Sequence, residues 1–173
     1  MSTALTLELI ICSALMLERD RSGIMISKLS VGTTPMMLYK LPDSTGPVVA
    51  QGFAGSIQLM QAYSLTLARA GYRVVAFDLE GHGRNPVPMS GDVTSIDGTT
   101  ALLVAQTRDF IAVSRALTSS TQLALLGHAM ATDILIRAGI EESQDARPVD
   151  SIVAISIFAE AVTEQNSGKI LIT

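Results

Sequence analysis

"LALLGHAMATDIL", residues 123–135, is the stretch whose reading decides the fold. Leu123 to Leu126 is a short apolar run suited to a buried strand, and Thr132 to Ala138 has the spacing of an amphipathic helix that Gly139 would stop. Only Gly127, His128, Ala129, Met130 and Ala131 lie between them, so strand passes to helix within one tight turn. Small residues at 127 and 131 suit such a turn, which brings them hard against neighbouring strands. At its centre stands Ala129, with a methyl group and nothing more.

The same alternation extends in both directions. Ile24 to Val31 and Met36 to Leu41 read as strands around a turn at Gly32 to Pro35, and Val48 to Ala50 as a short buried strand. Ile57 to Ala70 reads as a helix with Leu59, Met60, Tyr63, Leu67 and Ala70 on its apolar face, stopped by Gly71. Tyr72 to Phe77 is a strand ending at Asp78, Glu80 to Gly98 a Gly- and Pro-rich loop, and Thr99 to Leu117 the longest helix. Val149 to Ile157 reads as another strand, and Lys169 to Thr173 as the beginning of one more. Strands alternating with helices imply an α/β three-layer sandwich, a mostly parallel sheet with helices on both faces. Ligands of such sheets bind beyond the carboxyl ends of the strands, where the unusual loops fall.

Composition narrows the function classes. The chain has 173 residues, of which 48% are hydrophobic and 16% charged, so residues 23–173 have the material of one packed domain. A net charge of -4 without any Lys/Arg cluster excludes a nucleic-acid footprint. Cys12 is the only cysteine, and His82 and His128 fall in no metal-ligand spacing, so neither metal nor another cofactor is expected. Residues 1–22 form an apolar N-terminal segment. Ala4 to Leu17 is shorter than the roughly 20 residues that span a bilayer and lacks a basic flank before it. It is read as a packed helix and a cytoplasmic chain, with membrane association through residues 4–17 as the alternative.

Three loops carry candidate chemistry. Gln51-Gly52-Phe53-Ala54-Gly55-Ser56 follows a strand, and its glycines let backbone N–H groups converge on an oxyanion. A plain tight turn with Ser56 capping the next helix is the simpler reading. Asp78 to Arg84, with Gly81-His82-Gly83, could hold a phosphate, but a lone G-x-G opening no helix favours a structural turn. Gly127 to Ala131 has the form of a G-x-S-x-G nucleophile elbow with its serine missing.

Taken together in this order and spacing, the loops resemble those of the α/β-hydrolase superfamily, in particular its esterase, lipase and lysophospholipase-like members. "VVAQGFAGS" is similar to the family's strand and H-G-x-x-G-S, "YRVVAFDLEGHGRN" to its strand and D-x-x-G-H-G-x-S, and "LALLGHAMA" to its G-H-S-M-G elbow. The resemblance implies that Ala129 occupies the nucleophile position and that the backbone N–H groups of Phe53 and Met130 form the oxyanion hole. Gln51 stands where the family has histidine and Asn85 where it has serine.

The resemblance also implies an acid after the strand that follows Val149 to Ile157, and a histidine after the last strand. Residues 23–173 therefore read as a C-terminally truncated domain without nucleophile, acid or general base. A methyl group has neither lone pair nor proton to transfer. The expectation is a catalytically silent relative of serine hydrolases acting on ester or acyl substrates, whether it turns over any substrate being open. The alternative is a non-catalytic module that binds a small acyl or ester ligand or another protein. An uncovered sheet edge would further favour self-association or a partner chain.

Overall fold

The computed structural model describes residues 17–19, 23–53, 56–90, 96–118, 121–155 and 170–172. Eight strands form one sheet: β1 (Leu17–Arg19), β2 (Met25–Val31), β3 (Thr34–Lys40), β4 (Val48–Phe53), β5 (Arg73–Asp78), β6 (Leu123–His128), β7 (Ser151–Ile155) and β8 (Ile170–Ile172). Among the described residues three helices, α1 (Gln61–Arg69), α2 (Ile96–Thr118) and α3 (Met130–Gln144), connect strands of its parallel part. The order across the sheet is β1-β2-β3-β5-β4-β6-β7-β8. Strands β5, β4, β6, β7 and β8 run parallel, while β1, β2 and β3 join them antiparallel.

Strand β5 shows why both faces are covered. Val75 and Phe77 point into a core shared with Leu103, Phe110 and Ile111 of α2 and with Ile134 and Leu135 of α3. Val74 and Ala76 point the other way, onto Ile57, Met60 and Ala68 at α1. Successive residues of a strand face opposite sides, so one buried strand needs apolar residues throughout. Phe77 stacks on Phe110 with ring centroids 4.1 Å apart, joining sheet to α2.

Several sequence expectations meet corrections here. Strand β4 runs through Gln51, Gly52 and Phe53, which were expected in a loop; β5 and β6 flank it, and pairing on both edges extends the strand. The apolar face expected for α1 is not the buried one. Leu59 and Tyr63 are 65% and 44% exposed, while Ser64 and Ala68 are fully buried. Small side chains let α1 lie close to the sheet, and the Ser64 hydroxyl donates to the Met60 carbonyl at 3.2 Å instead of needing water. Met60 occupies the cap position of α1, and Ser56 instead accepts the Leu59 N–H through its backbone carbonyl.

Gly139 does not stop the third helix, which continues to Gln144. It is buried against β7: a Cβ there would stand 2.8 Å from Ile152 Cδ1, so glycine serves helix–sheet contact. Gly71 does end α1, with φ at +93° and its N–H donated to Ala68. Leu17–Arg19, inside the N-terminal segment expected to be helical, pairs antiparallel with Met25 to Ser27 of β2. Residues 4–16 of that segment lie outside the described residues. Among the described residues no helix is long and apolar enough to cross a membrane.

Candidate functional site

The carboxyl ends of β5, β4 and β6 lie side by side. Phe53 is in register with Asp78 on one side and His128 on the other, and Gly52 with Gly127. All three candidate loops therefore leave the sheet at one edge, next to one another. Gly55, with Ala54, lies outside the described residues.

The turn after β6 is the sharpest feature of this edge. Ala129 has φ 53° and ψ -127°, a conformation that alanine rarely adopts and that costs on the order of 1–3 kcal/mol. Its surroundings hold it there. The Ala129 N–H donates to the Ile155 carbonyl at 2.9 Å, and its carbonyl accepts the Thr132 N–H at 2.9 Å. The Thr132 hydroxyl reaches the same Ile155 carbonyl at 3.3 Å, binding the first turn of α3 to β7. Gly127 allows the close approach: a Cβ on it would stand 2.7 Å from Thr132 Cα and 2.9 Å from Thr132 N. Ala131 is buried and Met130, which opens α3, is 40% exposed. The first N–H groups of a helix have no acceptor within it, so the Met130 N–H is a donor available at this turn.

Asp78 organises the other two loops. Its side chain is fully buried, with one carboxylate oxygen accepting the Ile57 N–H at 2.7 Å and the other the Arg84 N–H at 2.9 Å. The first bond anchors the chain just past Ser56, the second the turn at Gly81 to Arg84. Gly83, at φ +56°, is required because a Cβ there would lie within 2.5 Å of the Asp78 carboxyl group.

The remainder of that turn satisfies itself. Gly81 donates to the Val87 carbonyl, Asn85 Nδ2 to the Asp78 carbonyl, and His82 Nδ1 lies 2.8 Å from the Glu80 carbonyl. The sequence favoured a structural turn, and these bonds hold the loop in its shape. His82 is engaged within its own loop. His128 is half-buried at the end of β6, and a strand neighbour points to the face opposite the residue that follows it.

Tyr39 of β3 lies under Asp78, fully buried. Burial, with the Asp78 charge adding to it, pushes its hydroxyl from 10.0 up to about 12. The folded chain therefore holds this proton more tightly than the unfolded chain. The resulting stabilisation is complete below about pH 10 and is lost as pH rises through about 12. Tyr39→Phe is expected to flatten the loss of stability over that window in urea titrations. An equally steep alkaline loss in the variant would show that Tyr39 does not govern it.

Sequence reasoning placed a tight strand-to-helix turn at 127–131 and a loop after β5, and the structure has both. It missed the role of Asp78 as common anchor of that loop and of the chain just past Ser56, because Ile57 and Arg84 reach it only across the fold. Among the described residues no group of three or more His, Cys, Asp or Glu could hold a metal ion.

Comparison with known proteins agrees with this fold. A thioesterase domain from the curacin biosynthetic pathway matches 78% of this chain and 46% of its own, with TM-score 0.52 and 26% identity. An epoxide hydrolase from Vigna radiata matches 78% and 41%, with TM-score 0.54 and 19% identity. A carboxyl esterase from Bacillus coagulans, solved with glycerol, matches 76% and 44%, with TM-score 0.57 and 12% identity. The chain spans less than half the length of these three structures. No curated protein matches it. Residues 47–164, from the start of β4 past β7, match the family model described as serine aminopeptidase, S33, and the chain thus belongs to that family of α/β hydrolases.

Proposed function

We propose that this chain is a catalytically silent α/β-hydrolase domain that binds an acyl or ester ligand without turning it over. The observation that carries this reading is Ala129, held at φ 53° and ψ -127° in the elbow. An elbow exists to present a nucleophile, and the strain it costs is kept here while the nucleophile is a methyl group. The backbone donors proposed for the oxyanion hole, on Phe53 and Met130, do not depend on the side chain at 129. They would still recognise a carbonyl oxygen, and recognition without attack is binding.

The test is labelling with a fluorophosphonate probe beside hydrolysis of a short p-nitrophenyl ester. No adduct and no turnover above buffer are expected; a covalent adduct on any serine of the chain would overturn the proposal. Ala129→Ser is expected to restore little turnover in this chain. His82 is held in its own loop, and His128 belongs to β6 and not to the turn that presents residue 129, so neither imidazole is placed as the general base of that position. Ester turnover in that variant approaching that of an active family member would refute this account of the site.

A further inference from the structure

A cavity opens at the same edge of the sheet, on the far side of β5 from the turn after β6. It measures about 280 Å³ and lies between the β2–β3 hairpin, the turn entering α1 and the loop after β5. Met36 and Ile57, both buried, and half-buried Met37 give it an apolar floor. Its rim is different in kind: Lys28 and Arg84, from separate loops and strands, and the amides of Gln58 and Gln61 are all exposed. Among the described residues neither cation has an ion-pair partner.

Asp78 also borders the cavity, but both its oxygens are committed to the backbone N–H groups of Ile57 and Arg84. The lining thus carries two cations against one carboxylate, a net charge of +1 (2 − 1), which matches a monoanion better than a phosphate dianion. A single anionic head with an apolar tail satisfies both rim and floor. Guanidinium, ammonium and amide N–H groups all donate to carboxylate oxygens, while the tail removes methionine and isoleucine surface from water.

We propose that this cavity binds a medium-chain carboxylate, with its head on Lys28 and Arg84 and its tail on the methionine and isoleucine floor. The site is separate from the elbow: β4 stands between β5 and β6, so β5 alone is about 10 Å from β6 at the usual strand spacing, and the cavity lies beyond β5. It stands whether or not the elbow binds a ligand.

Octanoate titrated into the full chain tests this, followed by calorimetry and by NMR of labelled methionine methyls. The Met36 and Met37 methyls are expected to shift, with Met130 as the reporter for the elbow. Lys28→Gln with Arg84→Gln removes both charges while keeping the Arg84 backbone bond to Asp78, and should weaken binding about tenfold or more. Melting curves establish that both variants are folded, and Met37→Gln, which makes the floor polar and leaves both rim charges in place, should weaken octanoate binding as well. Octanol, without the charge, should bind more weakly than octanoate, and octyl phosphate no more tightly. Shifts confined to Met130, equal affinity in the double variant, equal affinity for octanol, or no binding at millimolar octanoate would each overturn the proposal.

Discussion

Gly127→Ala is expected to lower the melting temperature by about 10 °C, although it adds one methyl group. The added Cβ would lie 2.7 Å from Thr132 Cα and 2.9 Å from Thr132 N, and neither backbone atom can rotate out of the way. The Leu135 side chain, 2.8 Å away, could yield; α3 as a whole could not without breaking the bonds of Ala129 and Thr132 to Ile155. Overpacking of this kind costs about 3 kcal/mol, at the upper end of its usual range. At two to four degrees per kcal/mol for a domain of this size, that gives the expected shift of roughly 10 °C.

Ala129→Gly, two residues on, should act in the opposite direction. Glycine adopts φ 53° without strain, and the relief of about 1–3 kcal/mol exceeds the entropic penalty of about 0.4–1 kcal/mol. Differential scanning calorimetry of both variants reads the pair. A Gly127→Ala melting temperature within about 2 °C of the parent would show that α3 is not packed against this glycine.

Arg108→Ala is expected to cost about 3 kcal/mol, for a reason unrelated to the elbow. The Arg108 guanidinium, on α2, bonds Glu141 and Glu142 of α3 at 3.0 Å each and also Asp145, just beyond that helix. Its affinity for its proton is raised, above all by the bond to Glu142, so it stays charged at any accessible pH. The Glu142 side chain is only 2% exposed, and without Arg108 its charge would remain buried with Arg147 alone, at 3.1 Å. Breaking a buried pair from one side leaves that uncompensated charge, which is where most of the loss arises.

Two companions separate charge from packing. Arg108→Lys should lose less, since one ammonium keeps the charge but cannot span three carboxylates. Arg108→Met with Glu142→Leu should recover most of the loss, because an apolar pair of similar volume pays no desolvation. Urea unfolding at neutral pH reads all three. An Arg108→Ala loss below about 1 kcal/mol would reduce the cluster to the value of surface ion pairs.

These two sites differ in how far they could be read in advance. The tight turn after β6 was legible because its parts are adjacent in sequence: an apolar strand, small residues at 127 and 131, and an amphipathic helix within thirteen positions. The Arg108 cluster was not, since its partners stand 33, 34 and 37 residues away and nothing local marks them. Errors at single elements follow the same division. Counting apolar residues placed Leu59 and Tyr63 inside α1, whereas the distance between α1 and the sheet selected Ser64 and Ala68. Gly139 has the local character of a helix stop, but Ile152 on β7 made it a contact point inside α3.

What the sequence determined by itself was the alternation of strands and helices, and with it the α/β class, the three loops and their order. Those properties follow from hydrophobic period and turn chemistry, which act over a few residues. Tertiary structure alone decided that β5 lies between β3 and β4, that Asp78 ties two loops together, and that Ala129 is held in its strained turn. Each of these depends on atoms distant along the chain meeting at one edge of the sheet. The methyl group at 129 can be read from the letters; that its backbone is held at φ 53° is a consequence of β7 and α3 closing on the turn from either side.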